Sequence, residues 1–207
     1  MMQRFVMEVT DEELRKSDAE REDMAEKSVA KILEEAERTE EFSTISQNGS
    51  KVITATINIE IQMERIIVDF FFPVDDNPPD PRRLLFQQRF LESTLMDFSK
   101  KKEIVQTIVG GEDLLEGSEK AKLQKNLKSL MTWRNAFAHG RLDNRLGGAW
   151  HLCYFSSAKQ DQLLEDAFWT EVEKVFRSAH DALVQIHGRL LAKNLYQRRN
   201  SKGSNEW

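Results

Sequence analysis

A short segment of the chain, Trp133 to Gly140, combines an arginine, an amide and a histidine beside a glycine. Arg134 offers a planar fork of hydrogen-bond donors that matches a phosphate group. His139 is the residue type whose ordinary pKa suits proton transfer near neutral pH, and Asn135 can orient either of the other two. These residue types suit chemistry on a phosphate, so Arg134, Asn135 and His139 are the candidate catalytic residues.

The spacing of Arg134 and His139 predicts where the helix that carries them ends. They are five positions apart, so a continuous helix at about 100° per residue places them about 140° apart. We therefore expect the helix to end between or at these residues. Gly140 fits the position just past a helix end, where a left-handed conformation is favoured, and unwinding the last turn could move His139 toward Arg134 or a second subunit. A structural interpretation stays open, in which both side chains complete the last turn of a helix whose Phe137 is buried.

The run from Arg134 to His139 resembles the signature of the HEPN superfamily, an arginine and a histidine separated by four to six residues, including the asparagine after the arginine. The segment from Phe98 to Lys102 and the Phe-Ala-His-Gly sequence at the motif are also similar to proteins resembling the mannitol-operon regulator. The tyrosine that follows the histidine in HEPN toxins paired with nucleotidyltransferase antitoxins is absent here. The order of expected elements also follows the HEPN order: a long helix at 52–72, a loop, a helix at 82–109, the motif helix at 119–139, a strand at 149–155 and a closing helix at 165–195.

The resemblance implies a fold, an activity and a partner. The fold is a mainly α, antiparallel helical bundle with a short strand or hairpin after the motif helix, plus an N-terminal helical extension. The activity is that of a metal-independent endoribonuclease, with a toxin–antitoxin or defence role, which needs no cofactor and leaves a 2′,3′-cyclic phosphate. It acts as a homodimer in which two motif helices face each other and supply a composite Arg/His site. The alternative is a non-catalytic, HEPN-like dimeric regulatory or protein-interaction module, in which Arg134 and His139 are structural.

Composition limits the other classes of protein. At 207 residues and 40% hydrophobic content, the chain can bury one good core with an appended segment. Its one cysteine, Cys153, excludes an internal disulfide and a multi-cysteine zinc site, which favours a cytoplasmic setting. The N-terminus reaches Glu8 too early for a signal peptide, and no apolar run approaches the roughly 20 residues that span a bilayer. We therefore expect no membrane association.

Charge is distributed unevenly along the chain, whose net charge is −5. Residues 1–41 carry 7 basic and 14 acidic groups, whereas residues 81–145, which contain the motif, carry 13 basic and 8 acidic groups. We interpret 1–42 as an acidic helical arm that docks a protein partner, 43–195 as the HEPN-like domain and 196–207 as a polar, basic tail. The positive surplus around the motif is what a nucleic acid or phosphate ligand needs, and the alternative is a solvated helix face.

Local patterns predict the boundaries of the elements. The capping-box pattern at Thr10 predicts the start of the arm helix, and Asn48-Gly49 predicts a turn at 43–50 before the main domain. Residues 52–72 alternate like a strand at first, but the run is too long for one, so we expect a helix. The four prolines, between Pro73 and Pro81, predict a loop.

Other polar residues are weaker candidates for function. Glu64 lies in the apolar 52–72 segment, where it is either a core-facing salt-bridge partner, for example of Arg134, or exposed, and the salt bridge is favoured. We expect the lysines at 100–102 to lie on the surface of a helix. The pairs His151 with Cys153 and His180 with His187 each share one face of an element but lack a third ligand, so no metal site is expected. Homodimerisation is expected because Arg134 and His139 alone form a sparse site, and because the apolar residues around Trp133 and Phe137 leave a face to cover.

Overall fold

The structure is a computed structural model that describes residues 11–73, 80–93, 95–144 and 148–203. This part of the chain is mainly helical with a small antiparallel sheet, which confirms the expected mainly α class. The chain divides into two compact units, Met1–Asn48 and Gly49–Trp207. The elements are α1 (Asp11–Phe71), α2 (Pro81–Phe86), a π-helical turn (Gln87–Leu91), α3 (Phe98–Gly111), α4 (Gly117–His139), β1 (Arg141–Asn144), β2 (Trp150–Phe155), β3 (Lys159–Leu163) and α5 (Asp166–Gly203).

Helix α1 confirms the helix expected at 52–72. From Val52 to Ile66 its buried positions recur every three or four residues, while Ile57 and Ile61 of the strand-like alternation are 44% and 39% exposed. A helical spacing therefore decides which isoleucines enter the core. The buried side chains of this stretch are Val52, Thr56, Ile59, Met63, Ile66, Ile67, Val68 and Asp69.

The turn expected at 43–50 is wrong, because α1 continues through it. A Cβ atom at Gly49 would lie 2.6 Å from Cδ1 of Phe137. Glycine in a helix interior is unfavourable by about 0.5–1 kcal/mol relative to alanine, and the close approach of the ring accounts for it here. The capping pattern that begins at Thr10 and most of the proline loop, 74–79, lie outside the described residues.

The single helix expected at 82–109 is also wrong, because the chain breaks between the π-helical turn and α3. The side chain of Asp97 accepts a hydrogen bond from the backbone N–H of Lys100 at 2.9 Å and thereby caps the start of α3. Asp80 caps α2 in the same way through the N–H of Arg82 at 2.9 Å. Aspartate is a preferred N-cap residue, so Asp97 was the sequence signal for the second start.

The three strands form one sheet in the order β1, β2, β3, with antiparallel pairing. Strand β2 confirms the strand expected at 149–155, and β1 follows directly on the residue after α4. In register, Cys153 pairs with Arg141 on one side and Asp161 on the other. Leu152 is 1% exposed and turns the opposite face of β2 toward the core. The closing helix expected at 165–195 is confirmed as α5 and extends to Gly203.

A buried ion cluster joins α1 and α3. Lys101 is 4% exposed, and its Nζ lies 2.6 Å from Oε1 of Glu60 and 2.6 Å from Oε1 of Glu64. The core-facing salt bridge expected for Glu64 is confirmed, but its partner is Lys101 and not Arg134. The expectation that the lysine run lies on a helix surface is wrong for Lys101.

Replacing Lys101 with methionine should lower the free energy of unfolding by about 3–5 kcal/mol, because Glu60 and Glu64 lose their buried cation. The neighbouring Lys102→Met should change it by no more than about 0.5 kcal/mol. Urea denaturation of the two variants measures the difference, and equal stability of both would contradict the role of the cluster.

The difference in stability between the parent and Lys101→Met should also depend on pH. Burial alone would lower the pKa of Lys101, but the hydrogen bonds that it donates to Glu60 and Glu64 outweigh burial and raise the pKa above its ordinary value of 10.5. Stabilisation by a raised lysine pKa is complete below the ordinary value and is lost as the pH rises through the folded-state pKa. The stability advantage of the parent over Lys101→Met should therefore be constant near neutral pH and shrink above about pH 10.5. An advantage that grows in that range would oppose the assignment.

Candidate functional site

Helix α4 carries the three candidate residues in its last two turns. It ends at His139, as the spacing predicted, and the N–H of Gly140 donates to the carbonyl oxygen of Ala136 at 2.7 Å. The helix is regular up to this point, so unwinding does not move His139 toward Arg134. The two residues therefore leave the helix axis in directions about 140° apart.

The left-handed conformation expected at Gly140 is wrong, since its φ is −81° and its ψ is 177°. A Cβ atom here would lie 2.3 Å from the carbonyl oxygen of Ala136 and 3.0 Å from that of Cys153. Position 140 therefore requires glycine, because there is no room for a Cβ atom. Glycine lets the chain pass from α4 directly into β1 while β2 lies against the turn.

Aromatic side chains fix the end of α4 against the start of α5. The ring of Phe137 stacks on Trp169 with centroids 5.8 Å apart, and Trp133 meets Phe168 edge-on at 5.8 Å. The apolar residues around Trp133 and Phe137 are therefore packed within the chain, and they do not provide the open face on which the expected dimer was partly based. The position of the motif on the fold is set by this packing.

Arg134, Asn135 and His139 stand on the outer side of this packed helix end. Nη1 of Arg134 donates to Oδ1 of Asn135 at 3.3 Å, so the structure brings these two together. His139 and Asn135 are exposed, and Arg134 is half-buried. Within the described parts of the chain, His139 forms no hydrogen bond or ion pair, and nothing joins it to Arg134. One copy of the chain thus presents the histidine and the arginine–amide pair as separate groups.

The charged residues of α4 are almost all basic. From Lys120 to His139 the helix has no acidic residue, although it carries four lysines and Arg134. Lys125, Lys128 and Asn135 are exposed and lie within about 40° of His139 around the helix axis. The one acidic residue of α4, Glu119, lies about 160° from His139. The exposed face that leads to His139 is therefore basic and polar along its length.

Two histidine–carboxylate pairs lie away from α4. Nδ1 of His151 is 2.6 Å from Oδ1 of Asp161 on the sheet, and Nε2 of His187 is 2.6 Å from Oδ2 of Asp69. Asp69 is 5% exposed and also accepts from Nη2 of Arg83 at 2.5 Å. Sequence reasoning missed this second group, because its members are separated by 14 and 118 positions and no local pattern links them.

The described residues contain no group of three or more histidine, cysteine, aspartate or glutamate side chains placed to hold a metal ion. No helix in this part of the chain is long and apolar enough to cross a membrane. No protein-family profile matches the chain, and no curated protein or solved structure matches it.

Alanine at Gly140 should destabilise the fold by about 1–3 kcal/mol, because its Cβ has no space between the end of α4 and β2. Gly188 in α5 is the matched control, since nothing lies within 4 Å of a Cβ there. Gly188→Ala should stabilise the chain by about 0.5–1 kcal/mol. Thermal melting of the two variants compares them, and a stabilised Gly140→Ala would refute the close approach.

Proposed function

We propose that this chain is a metal-independent endoribonuclease of the HEPN type that acts as a homodimer. The observation that carries the proposal has two parts: His139 is exposed and has no hydrogen-bond or ion-pair partner among the described residues, and the face of α4 on which it lies carries lysines and amides but no carboxylate. A carboxylate beside the histidine would repel a phosphate, whereas this face attracts one. The segment Arg134–His139 resembles the HEPN signature, which supports the same function.

The reaction needs two proton transfers and one bound phosphate. The ribose 2′-hydroxyl gives up its proton and its oxygen bonds to the adjacent phosphorus, while the bond from phosphorus to the 5′-oxygen breaks and that oxygen takes a proton. The products are a 2′,3′-cyclic phosphate and a free 5′-hydroxyl. His139 either accepts the first proton or donates the second. Arg134 holds the phosphate as its charge develops, and Asn135 orients the guanidinium to which it is hydrogen-bonded.

A second copy of the chain supplies the missing half of the site. Because Arg134 and His139 diverge by about 140° on one helix, a phosphate in contact with His139 of one copy takes its guanidinium from the other. The negative end of the α4 dipole lies at the same place and disfavours an anion, so cations must hold the phosphate there. Two motif helices that face each other provide both groups twice.

A second candidate function is a non-catalytic regulatory or interaction module. It is favoured by one observation in the N-terminal unit, where Val29, Ile32 and Leu33 form an apolar stripe and are 55%, 64% and 58% exposed. Such a stripe on an acidic helix is a surface for another protein. In this case the chain binds partners and leaves RNA intact.

His139→Ala and Arg134→Ala should each melt near the parent and reduce RNA cleavage in the presence of a chelator by about 10²–10⁴-fold, since each removes one catalytic group. His180→Ala on α5 is the matched control, as His180 is also an exposed histidine, and it should retain activity. Gel analysis of a mixed RNA pool measures the cleavage. A parent that leaves every RNA intact, with variants that are only less stable, would favour the interaction module.

Mixing the two inactive variants tests the composite site. A mixed dimer has one site with both residues replaced and one with both intact, so re-equilibrated mixtures should regain about a quarter of the parent activity. If each site used Arg134 and His139 of the same copy, the mixture would stay inactive. Light scattering on the same samples reports whether they are dimers.

A further inference from the structure

We infer that the exposed face of α4 is a track for the backbone of single-stranded RNA, on which Lys125 and Lys128 hold phosphates remote from the cut. The inference rests on the proposed function and identifies how the substrate reaches His139. In the described residues neither lysine has an ion-pair partner, and both are exposed. Thr132 and Asn135 lie between them and His139 on the same face, within about 40° of its direction.

The dimensions of the track define the substrate length that it holds. Lys128 is eleven and Lys125 fourteen positions before His139, which corresponds to about 17 Å and about 21 Å along a helix that rises 1.5 Å per residue. A stacked strand rises about 3.4 Å along its axis for each nucleotide, so the track spans the axial length of roughly five or six nucleotides. A dinucleotide bound at His139 reaches neither lysine.

The side chains on the track also predict what kind of contact they make. Lysine, threonine and asparagine can bind phosphate oxygens and sugars, and these contacts carry no sequence information. The face has no aromatic side chain on which a base could stack. RNA length, and not base sequence, is therefore the property that the track recognises.

The third exposed lysine of the helix provides a matched control. Lys122 lies about 100° from His139 around the axis. It lines a groove of about 590 Å³ between α4 and α5 together with the acidic residues Glu173 and Asp181. Replacing Lys122 with glutamine removes the same charge from the same helix but from a different face.

Binding is measured first, with a fluorescent twelve-nucleotide RNA and the His139→Ala protein, so that the RNA stays intact. Adding Lys125→Gln and Lys128→Gln together should weaken binding and reduce the slope of log affinity against log salt by about 1.4, or about 0.7 for each lost phosphate contact. Adding Lys122→Gln should leave the slope unchanged. Equal effects at all three lysines would show a response to net charge and overturn the track, as would the absence of RNA binding.

Cleavage is measured next, with His139 intact. The double variant should lower kcat/KM for the twelve-nucleotide RNA several-fold and leave kcat/KM for a dinucleotide unchanged, while Lys122→Gln affects neither. An equal loss on both substrates would place the lysines in the catalytic step or in folding, and would overturn the track. If the parent cuts neither substrate, the proposed nuclease fails, and the binding slopes still decide whether the track exists.

Discussion

The packing of Phe137 is the interaction on which the candidate site depends. Its ring occupies the space that a side chain at position 49 of α1 would fill, and it stacks against Trp169 at the start of α5. Three helices therefore meet at one residue of the motif. Because Phe137 points inward, His139 and Asn135, which lie on the other side of the same turn, are exposed. The aromatic contact and the close approach at Gly140 together hold the end of α4 in place without using any of the candidate catalytic groups.

The charged residues on the exposed face of α4 differ from those elsewhere in this acidic chain. The cation of α3 that enters the core, Lys101, is neutralised by Glu60 and Glu64, and the buried Asp69 is neutralised by Arg83 beside His187. The lysines on the exposed face of α4 have no such partners among the described residues. Charges that serve the fold are thus paired and buried, whereas those that lead to His139 are exposed and of one sign. An exposed set of like charges contributes little to stability, so a ligand is the better explanation for it.

Much of the fold could be predicted from the sequence, because the 52–72 run is too long for a strand and the apolar residues of the motif helix recur at a helical spacing. Most of the errors came from contacts between distant residues, whereas the missed break within 82–109 had a local signal in Asp97. Gly49 looked like a turn residue because its partner ring is 88 positions away in the sequence, and Gly140 looked like a left-handed cap because the strand that crowds it is formed later in the chain. Glu64 was recognised as a buried ion, but only the folded structure identifies Lys101 as its partner. The candidate residues themselves were visible in the sequence, whereas their divergence on one helix, from which we propose a second copy, depended on how far α4 extends.

Cleavage by the proposed mechanism requires the ribose 2′-hydroxyl on the 5′ side of the cut phosphate. The most direct test uses an RNA with one strong cut position and a copy in which only the nucleotide on the 5′ side of that bond lacks its 2′-hydroxyl. In the presence of a chelator, the RNA should be cut to a fragment ending in a 2′,3′-cyclic phosphate, identified by mass spectrometry, and the substituted copy should remain intact at that bond. Cleavage of the substituted copy at the same rate, or a fragment ending in a 3′-hydroxyl, would contradict the proposed mechanism.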